Sequence, residues 1–146
     1  MEVKLKELLA ISGYSGLFKF ISQARQGVIV ESLVDGKRMH VPATAKVSAL
    51  ADIAVFTEAE EMPLKDVLKR IEALENGGPA INPKSDSKDI RAYFEKALPE
   101  FDKERVYTSD IKKILTWYNL LQEKGLLEIL NQVDEEENQE QTDDKE

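Results

Sequence analysis

Residues 27–42 constrain this chain most. Two segments rich in β-branched residues, 28–34 and 37–41, flank Asp35-Gly36. Asp-Gly tolerates the positive φ angles of a type I′ turn, so the run predicts a hairpin with a two-residue loop. In that register Val34 faces Lys37, Ser32 faces Met39 and Val30 faces Val41, while Leu33 meets Arg38, Glu31 meets His40 and Ile29 meets Pro42. Side chains alternate across a strand, which assigns Val28, Val30, Val34, Met39 and Val41 to one inward face. Pro42 has no N–H to donate and should end its strand or lie on an edge. The hairpin identifies a scaffold and names no chemistry.

On either side the pattern changes. Leu5, Leu8 and Leu9 share a helical stripe, so residues 3–11 predict a short helix that the Gly13-Tyr14-Ser15-Gly16 turn stops. Residues 17–23 read as a strand with Phe18 and Phe20 on one side, and 52–57 as a short buried strand, with 46–50 a further pairing candidate. Several short strands at close spacing predict a small closed or half-closed barrel, which removes exposed edges. Pro63 then opens a helix with an apolar stripe of Leu64, Val67, Leu68, Ile71 and Leu74, ended by Asn76-Gly77-Gly78-Pro79. Residues 76–86, rich in Gly, Pro, Asn and Ser, read as a linker. A second helical stripe (Ile90, Tyr93, Phe94, Ala97, Leu98) stops at Pro99. A third (Ile111, Ile114, Leu115, Tyr118, Leu121) is capped by Thr108 or Ser109 and closed by Gly125. Leu126, Leu127, Ile129 and Leu130 should fold back onto the same core. From Asp134 onward the acidic, apolar-poor composition predicts disorder.

The charge is unevenly spread. The net −8 of the 146 residues hides a nearly neutral body, because eight acids against one lysine in 134–146 leave −7 there. Residues 1–57 carry +2 and residues 58–78 carry −3. This is too weak a balance to be a nucleic-acid footprint on its own. The absence of cysteine excludes disulfides and thiolate metal sites and suits a reducing cytoplasm. Charges interrupt the N-terminal residues every two or three positions, which excludes a signal-peptide core, and no stretch approaches a membrane span. A cytoplasmic protein with no membrane partner is expected.

Leu17-Phe18-Lys19-Phe20, the segment from Val28 to Met39, the segment from Glu104 to Ile114, and Trp117-Tyr118-Asn119 resemble a family of small bacterial proteins known only as domains of unknown function. The resemblance spans residues 3 to about 130. It implies an α+β fold, an SH3-like β-barrel with flanking helices followed by a small helical unit, and it transfers no activity or site residue. The expected organisation is a barrel over 1–75, a linker over 76–86, a helical unit over 87–131 and an acidic tail over 132–146.

The residues offer little catalytic chemistry. His40, the sole histidine, could act as a base oriented by Glu31, but an exposed opposite-charge pair across a hairpin is an ordinary sheet contact. The Gly13–Gly16 turn has the G-x-x-G pattern of some RNA clamps, yet it lacks the lysine of a phosphate loop and the third glycine of a dinucleotide fingerprint. Glu58, Glu60 and Glu61 lack the spacing of a calcium loop and suit the start of a helix dipole. No catalytic residue, metal or cofactor is expected.

Two sets of residues are candidates for binding. Lys19, Arg25, Lys37, Arg38 and Lys46 lie in or between the strands, with Tyr14 as an exposed aromatic. In small barrels such sets hold single-stranded nucleic acid, although scattered solubilising charge is the commoner role. Tyr107, Lys112, Lys113 and Trp117 mark an interface on the helical unit. Trp117, off the centre of its stripe, is expected to meet the other unit rather than an outside partner. The acidic tail could shield a basic patch, but solubility is its favoured role. The sequence therefore reads as a non-catalytic binding module, accessory to nucleic-acid or ribosomal machinery. The alternative is a protein–protein interaction or homo-oligomeric assembly module using the surface around Trp117.

Overall fold

A computed structural model describes residues 4–131 and gives an α+β architecture. A 3₁₀ turn (Leu5–Glu7) leads into β1 (Leu8–Ile11), β2 (Phe18–Ala24), β3 (Gly27–Ser32), β4 (Arg38–Pro42) and β5 (Val47–Ala49). A second 3₁₀ turn (Leu50–Asp52) precedes β6 (Ala54–Val55) and β7 (Met62–Pro63). Then come α1 (Leu64–Glu75), α2 (Ser87–Ala97), α3 (Thr108–Glu123) and a final 3₁₀ turn (Leu127–Asn131). The first five strands form one antiparallel sheet in the order β4-β3-β2-β1-β5, and β6 pairs with β7 separately. The residues from Asp134 onward lie outside the described chain.

The expected helix over 3–11 is a single 3₁₀ turn followed by a strand. Leu5, Leu8 and Leu9 have helical spacing, but β1 lies between two strands of the sheet, with Leu9 opposite both Phe18 of β2 and Ala49 of β5. Its two faces meet different apolar clusters. Leu8 and Ala10 join the large core under the helices, and Leu9 and Ile11 join a small one with Phe18, Val30 and Val41. A strand covered on both faces reads as an unbroken apolar run, which periodicity alone cannot tell from a helix.

The hairpin forms with a register different from the expected one. Val30 lies opposite Met39, Val28 opposite Val41, Ile29 opposite His40 and Glu31 opposite Arg38. Four residues, Leu33 to Gly36, intervene between Ser32 and Lys37, whose backbones bond at 2.9 Å. Only Gly36 in this loop takes a positive φ (+74°), so the turn is not type I′. The physical reason is Leu33. Its N–H donates to the Leu17 carbonyl at 3.0 Å and its side chain packs on the large core, which lengthens the loop. The shift is by two, so the inward face survives: Val30 and Val41 are buried, and Val28 and Met39 pack beside them. Val34 does not join them and is exposed in the loop. At the opposite end of the hairpin, a Cβ on Gly27 would sit 2.1 Å from the Val41 carbonyl oxygen, so β3 and β4 can approach here only with glycine.

The helices follow their stripes. Leu64, Val67, Leu68 and Ile71 of α1 are buried, but Leu74 is exposed in the last turn, before Asn76 ends the helix at φ +54°. Residues 76–86, read as a linker from composition, lie along α3. Tyr118 donates its hydroxyl to the Gly78 carbonyl at 2.7 Å, and Asn119 accepts from the Ala80 N–H at 2.7 Å. The N-cap of α3 is Tyr107, one residue before the expected Thr108 or Ser109. The Asp110 carboxylate accepts from the Tyr107 N–H at 3.0 Å, so an acid inside the first turn satisfies the helix start. Phe94 and Phe101 meet edge to face at 5.0 Å between centroids. Backbone bonds from Asp102 to Phe56 and from Glu58 to Glu100 join the two halves of the chain. One cluster of buried side chains runs from Leu5 through all three helices to Leu130.

Two tyrosines in this core carry a pH dependence. Burial, with the nearby Glu72 and Glu75 carboxylates, pushes the Tyr118 hydroxyl from 10.0 up to about 12. Tyr93, which donates to Glu75, is raised by burial and by that bond. The folded state holds these protons more tightly than the unfolded chain. The stability they contribute is therefore complete below pH 10 and is lost as pH rises through 12. Urea midpoints measured across that window should fall, and Tyr118→Phe should fall less steeply; parallel slopes would refute the assignment.

Candidate functional site

The β1–β2 connection, Ser12-Gly13-Tyr14-Ser15-Gly16, has to reverse direction within five residues. Gly13 and Gly16 do so at φ +90° and +83°, a region that side-chain-bearing residues rarely adopt. Gly16 is also close-packed, since a Cβ there would press on Val34 at 3.2 Å. The turn lifts Tyr14 outward: the residue is 57% exposed, and its ring meets Phe18 in a T-shaped contact at 6.1 Å. The Ser12 N–H donates to the Lys46 carbonyl at 2.9 Å, which fixes the residue before β5 beside this turn.

The facing wall is α3. Its buried stripe of Ile111, Ile114, Leu115, Tyr118 and Leu121 turns inward. Lys112, Lys113, Thr116 and Trp117, at i, i+1, i+4 and i+5, fall on the flank beside it. Trp117 is half-buried, with one side packed against the large core. Between turn and helix lies a groove of ≈ 570 Å³ with Lys46, Lys112 and Lys113 at its walls, Tyr14 and Trp117 as its aromatics, and no acidic residue in its lining. The three ammonium groups form no ion pair among the described residues. Residues 4–131 carry nineteen basic and nineteen acidic side chains, so the groove is a local positive field on a neutral body.

The groove continues into a second hollow of ≈ 340 Å³ that shares Ser48, Ile53, Lys113 and Trp117 with it. There the Arg105 guanidinium covers the Phe56 ring at 4.3 Å. Arg105 also bonds Asp102 at 2.8 Å, which holds that carboxyl below its ordinary range. Arg105 is thus engaged within the fold, whereas the three lysine ammonium groups have no ion pair among the described residues.

The structure divides the sequence candidates. Tyr14 and Lys46 of the first set meet Lys112, Lys113 and Trp117 of the second in one groove. Lys19, Arg25, Lys37 and Arg38 stay on the hairpin and are absent from the groove lining. Lys19 is half-buried opposite Glu31, and Arg38 is paired with Glu31 at 3.1 Å. Arg25 and Lys37 are exposed in turns, and Tyr107 is 65% exposed ahead of α3, outside the groove. His40 does not face Glu31 as expected. It lies opposite Ile29, and its Nε2 is 3.1 Å from the Arg25 carbonyl oxygen, where a ring N–H donates. Among the described residues no group of three or more acids or histidines could hold a metal ion. No helix among them is long and apolar enough to cross a membrane.

Sequence reasoning passed over Ser12, Ser48 and Thr116, and weighed Ser15 only as part of the Gly13–Gly16 turn. Thr116 was legible as Lys112 plus one turn, and its hydroxyl donates back to the Lys112 carbonyl at 2.8 Å. Ser48 carried no local signal, because its place depends on β5 pairing beside β1.

A family model described as Domain of unknown function (DUF5606) matches residues 5–50, and one described as Domain of unknown function (DUF6852) matches residues 53–121. The groove draws its turn and Lys46 from the first segment and its helical wall from the second. No curated protein matches the chain. A solution NMR structure from Bacteroides vulgatus, determined by the Northeast Structural Genomics Consortium, is 43% identical, covers 84% of this chain and 88% of that chain, and superimposes with a TM-score of 0.71. At that identity and coverage, the chain belongs to the same family of small bacterial proteins of unknown function.

Proposed function

We propose that the protein is a non-catalytic binding module, accessory to nucleic-acid or ribosomal machinery, and that the groove between the β1–β2 turn and α3 is where it binds. The observation that carries this reading is the convergence of Lys46, Lys112 and Lys113, from segments far apart in sequence, on a groove lined by no acid. Cations with no ion pair among the described residues, beside one exposed and one half-buried aromatic ring, suit a polyanion that also offers flat apolar faces, which describes nucleic acid. The five-strand order, with β5 returning beside β1 at the start of the meander, supports reading the sheet as a half-open SH3-like barrel. The cysteine-free chain suits the cytoplasm.

Protein purified at low salt should carry nucleic acid, seen as a raised 260/280 nm absorbance ratio. Its affinity for a mixed nucleic-acid pool should fall with salt. Clean protein at low salt, with no affinity for the pool, would remove the reading. A protein–protein module centred on Trp117 is the second reading, favoured by the half-exposed indole at the groove wall. It predicts a molecular size that rises with concentration and a smaller one for Trp117→Ala.

A further inference from the structure

We infer that the groove takes single-stranded nucleic acid, about two or three nucleotides at a time, with bases against Trp117 and Tyr14 and phosphates at Lys46, Lys112 and Lys113. This rests on the nucleic-acid reading above and narrows it to one form of the polymer.

Shape argues first. A duplex keeps its base faces stacked inside, and proteins read it by pushing a convex helix or ribbon into a groove of the nucleic acid. Here the cations and rings line a concavity of the protein, ≈ 570 Å³ in volume, with the smaller hollow opening from it. That volume is typical of clefts that enclose a small ligand. Together the groove and the hollow suit unstacked bases with the sugars between them, while the faces of Tyr14 and Trp117 would have nothing to stack on in a duplex.

Charge argues second. Three lysines on a neutral body give a salt exponent of only about 2 for a single strand, at roughly 0.7 per phosphate contact. So few contacts do not hold a polymer by themselves. Stacking has to add the rest, and one base on an aromatic ring is worth about 5- to 150-fold in affinity. The hydroxyls of Ser12, Ser15 and Ser48 also line the groove and have no intramolecular partner among the described residues. They are free to bond sugar hydroxyls or base edges.

Trp117 is the sole tryptophan, so its fluorescence reports the site directly. The experiment titrates the full chain with short oligo(dT), short oligo(U), a mixed-sequence duplex of the same length, and hexaglutamate. Each is measured at about 50 and 200 mM salt, with anisotropy of a labelled probe as a second readout. The expected result is quenching by one or both single strands and at least about tenfold weaker duplex binding. Affinity should drop about 20-fold between the two salts, and Tyr14→Ala, which alters an exposed side chain, should bind about 5- to 150-fold more weakly. Duplex binding as tight as single-strand binding would overturn the inference and leave the nucleic-acid reading standing. Hexaglutamate binding as tight as the oligonucleotides would overturn it in favour of an acidic peptide. Absence of any nucleic-acid binding in both readouts would end both claims together.

Discussion

Phe94→Ala is expected to remove about 3–5 kcal/mol of stability, the range for truncating a fully buried aromatic. Phe94 has no exposed surface and lies edge to face against Phe101, which is itself buried. Phe101 sits opposite Thr57, in the backbone bridge that ties α2 to the segment after the sheet. A cavity here therefore loosens both halves of the chain at once. Against a typical total of about 5–15 kcal/mol, the loss brings the protein close to its unfolding threshold. Chemical denaturation followed by far-UV circular dichroism and by Trp117 fluorescence should give coincident transitions, both shifted. A sheet that melts at the unchanged midpoint while the helices melt early would show that the two halves do not share one core.

The second large effect is on binding. Replacing Lys46, Lys112 and Lys113 together by glutamine should leave the fold intact, because all three side chains are exposed and form no ion pair among the described residues. It should abolish most of the salt dependence of nucleic-acid affinity, an exponent of about 2 falling toward zero, and weaken binding at 50 mM salt by more than about tenfold. The control is Lys37→Gln with Arg25→Gln, on the hairpin away from the groove lining. If the control loses the salt slope and the groove variant keeps it, the phosphates lie on the hairpin.

The parts of the fold legible in the sequence were those settled locally. The α1, α2 and α3 stripes and their stops at Asn76, Pro99 and Gly125 are set by side chains within a turn or two of each other. The errors came where distant residues decide. Leu5, Leu8 and Leu9 have helical spacing, yet β2 and β5 hold residues 8–11 as a strand. Asp35-Gly36 suits a two-residue turn, yet the pull of the core on Leu33 spreads the loop to four residues. The groove follows the same rule. Tyr14, Lys46, Lys112, Lys113 and Trp117 were each visible as candidates, but in two separate sets. Nothing local says that a residue ahead of β5 and one in the second turn of α3 line the same groove. That depends on β5 pairing back to β1 and on α3 packing beneath the β1–β2 turn.

The most direct test of the central claim is a map of amide chemical-shift changes in the labelled full chain as short oligo(dT) or oligo(U) is added. The account predicts changes confined to residues 12–16, 46–48 and 112–117, together with the Trp117 indole N–H. Changes centred instead on the hairpin residues 25–40, or none at any concentration, would contradict it.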